Sequence, residues 1–191
     1  MAKQRMSATL TRLARKRGRL PALVTAALIA ALILVQGLLA SVAAWIFGGL
    51  YERVSFGAAA FELHAWQPGY VIEPFLTVTL PFAIGVFLSL WLIAPLAAEL
   101  TVAFVITRGL LASAAGAVLV LVVNFVIDLV RLVGFGFDIR GFAHAVITEV
   151  GQAVDVFIYT TPIVLLGAVL LWLWLRAHPR DYEVAGLIDE L

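Results

Sequence analysis

The sequence predicts an all-α integral membrane protein: a four-transmembrane-helix bundle with both termini cytoplasmic. Three observations carry that expectation. Four long apolar runs each approach or exceed the roughly 20 residues that cross about 30 Å of hydrocarbon at about 1.5 Å per residue. The chain is 63% hydrophobic with a mean hydropathy of +1.07, above the apolar share of an ordinary soluble domain. Basic residues gather on one side of the runs. The expected organisation is a basic tail over 1–20, a transmembrane domain over 21–178 and an acidic tail over 179–191. The helices are placed at about 22–47, 75–98, 110–133 and 155–176. A length of 191 residues accommodates one bundle and leaves no room for a separate soluble domain.

Charge sets the expected orientation. Lys3, Arg5, Arg12, Arg15, Lys16, Arg17 and Arg19 precede the first run, and no acid occurs among them. If all four runs span from a cytoplasmic N-terminus, Arg108, Arg176 and Arg180 join them inside, while Arg53, Arg131 and Arg140 lie outside. Ten against three is the bias of the positive-inside rule. The first run far exceeds the roughly 7–15 residues of a signal-peptide core, so it reads as an uncleaved anchor. Lys3 and Lys16 are the only lysines among 13 basic residues, which, with the Ala, Leu and Val richness, suggests a GC-rich bacterial gene and hence the plasma (inner) membrane.

The elements follow in order. Pro21 suits a first helical turn, where its missing N–H costs nothing. The first helix is expected to end near Gly48-Gly49, before a loop to Glu73 in which 56–66 could lie along the interface as a half-helix. Pro81 and Pro95 fall inside the second run and are expected to kink it or end it early. An inner loop is expected over 99–108. The third helix ends at Gly134-Phe135-Gly136, and Pro179 stops the fourth. The tail over 181–191 has apolar residues at the spacing of a short surface helix.

Polar residues inside the runs localise the functional question. In lipid, helices approach through small residues. Gly109, Ser113 and Ala117 recur at four-residue steps, and the same face continues through Val120 to Asn124, Asp128 and Arg131. On the fourth helix His144, Thr148, Gln152, Asp155, Tyr159 and Pro162 share the spacing of one face. An ionised side chain at the centre of a spanning helix costs about 2.5–3.5 kcal/mol on insertion scales. Three such groups at similar depth are therefore expected to meet, with Arg131 paired to Asp128, Asp155 or both. The candidate cluster is Asn124, Asp128, Arg131, Asp155 and Tyr159. It serves either helix pairing or the handling of an ion, a proton or a substrate.

Chemistry-bearing motifs are missing. The absence of cysteine excludes disulfides, thiolate metal sites and c-type haem attachment. No nucleophile elbow, zinc-protease motif or phosphate loop occurs, and Gly134-Phe135-Gly136 lacks the third glycine and preceding strand of a dinucleotide site. Glu62, His64, Asp138, His144 and Glu149 could face the same side, but their spacings share no helical face and no metal site is assigned. No cofactor is identified. The expected function is a transport-related or accessory subunit of a membrane complex. The alternative is a membrane-embedded enzyme acting on a lipid-linked or envelope substrate, which the lack of a nucleophile or metal set disfavours. The expected partners are the lipid bilayer and other membrane subunits or further copies of the chain. No nucleic-acid partner is expected.

Overall fold

A computed structural model describes residues 19–58, 69–135 and 139–177. The basic tail over 1–18, most of the 56–66 stretch with Glu62 and His64, Asp138 and the acidic tail lie outside the described residues. The rest is helical, with no strand among the described residues. Helix α1 runs Arg19–Phe56, α2 Gly69–Pro74, α3 Leu80–Leu88, α4 Val102–Phe135 and α5 Ile139–Ala177. Two wide π-helical segments, Phe75–Thr79 and Ser89–Ile93, join α2 to α3 and extend α3, so these pieces form one continuous second span.

Four stretches are long and apolar enough to cross a membrane: Ala22–Phe56, Val71–Ile93, Val102–Arg131 and Phe142–Ala177. Only 28–39% of the residues in their most apolar windows are buried within the chain. The outward remainder carries Leu39, Phe47, Val54, Ile93 and Val130, among many others. Such continuous apolar surface far exceeds what a water-soluble monomer exposes. Lipid contact accounts for it, and the chain is a multi-pass membrane protein.

The helices reach past the apolar runs. At 38 and 39 residues, α1 and α5 are about 57 and 58 Å long, so each overruns the hydrocarbon. Beyond the hydrocarbon water can satisfy the backbone, so local residues rather than the bilayer decide where each helix stops. Gly57 stops α1, adopting φ 92° and returning its N–H to the Arg53 carbonyl at 3.1 Å. The expected inner loop is shorter than 99–108, because α4 begins at Val102 and its apolar start is already helical.

The prolines shape the second span. Pro81 has no N–H for the Thr77 carbonyl, and its ring crowds that carbonyl. The helix widens just ahead of it: the Leu80 N–H reaches five residues back to Phe75. Before Pro95 the pattern repeats, with the Ala94 N–H on the Ser89 carbonyl at 2.8 Å. Ala94 itself leaves the helix, as the residue before a proline tends to.

The spans pack as a ring in chain order, α1 against the second span and α5, and α4 against α3 and α5. Small residues set the closest crossing. A Cβ on Gly85 would stand 2.7 Å from the Gly116 Cα and 2.8 Å from the Ala115 carbonyl oxygen, so α3 and α4 meet backbone to backbone. The apolar core, with Ile29, Ile33, Phe82, Val86, Val105, Val164 and Trp172, fills the half of the bundle nearest residues 94–101. That end is tied down by side chains. Trp172 Nε1 donates to the Leu100 carbonyl at 2.9 Å, Arg108 donates to the Pro95 carbonyl, and the Arg176 guanidinium lies 5.4 Å from the Trp172 ring centroid.

Candidate functional site

The opposite half of the bundle is not filled. A cavity of about 280 Å³ opens there between the second span, α4 and α5. Its apolar wall is Pro74, Val78 and Ile127. Its polar wall comes from Glu73 and Thr77 of the second span, Asn124, Asp128 and Arg131 of α4, and Glu149 and Gln152 of α5. α4 supplies its three at intervals of four and three residues, which stacks them on one face.

Depth grades the polarity. The span Val102–Arg131 is centred near Gly116. Asn124 then stands about 12 Å from the centre and Arg131 about 22 Å, against a hydrocarbon half-thickness of about 15 Å. The floor of the cavity is thus in hydrocarbon and its mouth among headgroups. At the floor the Asn124 amide donates to Gln152 Oε1 at 3.5 Å, and Asn124 is 7% exposed. Thr77 and Ser113 bond carbonyls in their own helices, to Glu73 at 2.9 Å and to Gly109 at 3.1 Å, which satisfies them without a partner helix.

At the mouth Arg131 is shared. Its Nη2 lies 3.4 Å from Glu73 Oε1 and its Nη1 3.7 Å from Asp128 Oδ1. The Arg131 and Glu73 side chains are about two-thirds exposed, so this pair is wet and is worth about 0.2–1 kcal/mol. Deeper in, Glu149 neighbours the Asp128 carboxyl and is 7% exposed. Its Oε2 is buried and has no hydrogen-bond partner among the described residues. Three carboxyl groups therefore line one cavity with a single guanidinium, and Glu149 is the most buried of them.

The structure brings together Asn124, Asp128 and Arg131 of the expected cluster, but not Asp155 or Tyr159. Neither lines the cavity; Asp155 is exposed and Tyr159 is 77% exposed. His144, Thr148 and Pro162 of the same stripe are exposed too. The face of α5 turned to the other helices instead carries Glu149, Ala153, Thr161, Val164, Ala168 and Trp172. Sequence reasoning assigned Glu73 to a loop end and Glu149 to a loop or helix start, and gave neither to the cluster. The signal for Glu149 was present in its position three residues before Gln152, on the helical face that continues to Ala153. Among the described residues, no three His, Asp or Glu side chains converge to hold a metal ion.

Comparison with protein-family models, curated proteins and solved structures finds no match to this chain.

Proposed function

We propose that this protein is a transport-related subunit of a bacterial plasma-membrane complex, working through the cavity between the second span, α4 and α5. The observation that carries the reading is Glu149: a buried carboxyl with one oxygen that has no hydrogen-bond partner, on the wall of an open cavity near the hydrocarbon–headgroup boundary. A fold-clamping acid would be expected to spend its oxygens on a partner, because a buried charge left without one is expensive. The bias of basic residues supports both termini in the cytoplasm and the cavity mouth on the outer side.

The place in a complex draws on Asp155. The Asn124–Gln152 contact sets the α4–α5 register and puts Asp155 about level with Leu121, roughly 7 Å from the span centre. An exposed carboxyl and an exposed tyrosine hydroxyl at that depth call for a covering helix that hydrogen-bonds them.

Vesicles from cells producing wild-type or Glu149→Gln protein test the cavity reading. Uptake of small cations, anions and neutral solutes would be measured beside the folded yield. The expected result is a class of solute whose uptake rises with the wild-type protein and is lost in Glu149→Gln at unchanged folded yield. Uptake that tracks folded yield for every class overturns the reading.

A further inference from the structure

We propose that the cavity binds a small organic cation, its primary ammonium group seated between the Glu149 and Asp128 carboxylates and its apolar stem against Pro74, Val78 and Ile127. The proposal rests on the reading of the cavity as a solute site and supplies the chemical class of the solute.

Charge argues for a cation. Arg131 is occupied by Glu73 and Asp128 at the mouth, so the acids of the cavity wall, Glu73, Asp128 and Glu149, outnumber the one guanidinium that lines it. No second guanidinium lines the cavity among the described residues. An ammonium entering through the open mouth would offset that excess of acid.

Geometry separates an ammonium from a metal ion. Hard metal ions of the calcium or magnesium type gather six or more oxygen ligands around one point. Glu73, Asp128 and Glu149 line the cavity but do not gather closely enough to hold a metal ion. An ammonium needs three acceptors at ordinary hydrogen-bond distances, and its donors rotate to find them. The Glu149 and Asp128 carboxylates provide two, and the amide pair of Asn124 and Gln152 offers an oxygen at the floor.

Size and lining argue for an organic stem. At about 280 Å³ the cavity holds roughly nine water volumes of about 30 Å³ each, ample for an amine of four or five carbons. Pro74, Val78 and Ile127 add apolar surface to the same cavity. Ligand sites have this form: a mostly preformed concavity with apolar walls and a few convergent polar groups.

The test uses the purified full-length protein in detergent with n-butylamine hydrochloride as probe. Thermal unfolding is followed with added butylammonium, with sodium or potassium chloride at equal concentration, and with 1-butanol. Butylammonium is expected to raise Tm in a saturable manner, while the salts and the alcohol do not. Glu149→Gln is expected to weaken the apparent affinity roughly 10- to 100-fold, the worth of one charge-assisted hydrogen bond. Glu99→Gln, an exposed acid at the other end of the bundle, is expected to leave it unchanged. If Glu149→Gln unfolds without probe, Asp128→Asn serves in its place with the same expected loss. A shift equal to that of sodium chloride or butanol, a shift retained in both cavity variants, or no shift overturns the amine proposal. Sodium-dependent uptake in vesicles without butylammonium binding would remove this ligand class and leave the transport reading standing. Butylammonium binding without any Glu149-dependent uptake would do the reverse.

Discussion

Arg131 does two jobs with one guanidinium. Glu73 reaches it from another span at 3.4 Å, whereas Asp128 lies three residues back on the same helix at 3.7 Å. Pairs this exposed are worth little individually, so the expected coupling of Arg131 to Glu73 is about 0.2–1 kcal/mol. Its coupling to Asp155, which shares no cavity with it, is expected to be nil. Double-mutant cycles on detergent stability with Arg131→Ala, Glu73→Gln and Asp155→Asn measure both quantities. Coupling to Asp155 and none to Glu73 would contradict the geometry. The Asp128–Arg131 pair was legible in the sequence because a three-residue step on a helix is local. Glu73 was not, since pairing across spans depends on how the proline-widened second span turns its first residues.

The close crossing of α3 and α4 depends on what is absent from two side chains. Gly85→Ala puts a carbon 2.7 Å from backbone that has no rotamer to change, so the helices must separate. The expected cost is about 1–3 kcal/mol, read as a lower Tm in detergent. Gly151→Ala on α5 is the control, because a Cβ there meets nothing within 4 Å. It is expected to be neutral, or stabilising by up to about 1 kcal/mol through lost backbone freedom. Equal losses from both substitutions would rule out the crossing. The same contrast explains what could be read from α4 and α5 beforehand. On α4 the packing residues are small and periodic, and Gly109, Ser113 and Ala117 are buried as their spacing implies. On α5 the polar residues suggested one face, but most of them look outward while Glu149, Ala153 and Thr161 look inward. In lipid an apolar helix has no hydrophobic reason to prefer either side, so small residues report packing better than polar ones do.

At the scale of the molecule, the two ends of the bundle differ in kind. One is packed with apolar side chains and held shut by Trp172, Arg108 and Arg176; the other opens into the acidic cavity. The four spans were legible because their length is imposed by the bilayer, but which end faces the cytoplasm rests on the basic residues. Arg108 and Arg176 lie at the packed end, where α1 also begins, and seven basic residues precede Pro21 in the sequence. Arg53 and Arg131 lie at the open one. With an even number of crossings the termini share a side, so the proposed orientation makes a four-point prediction. Reporters fused after residue 60, after 104, after 143 and at Leu191 should read outside, inside, outside and inside. Neutralising the basic residues before Pro21 should erode that pattern first, since the first helix usually leads insertion and its flanking charges dominate. A reporter at Leu191 that reads outside would invert the bundle and turn the cavity mouth to the cytoplasm. The solute would then be met from the cell interior, while the Glu149 binding test would stand unchanged.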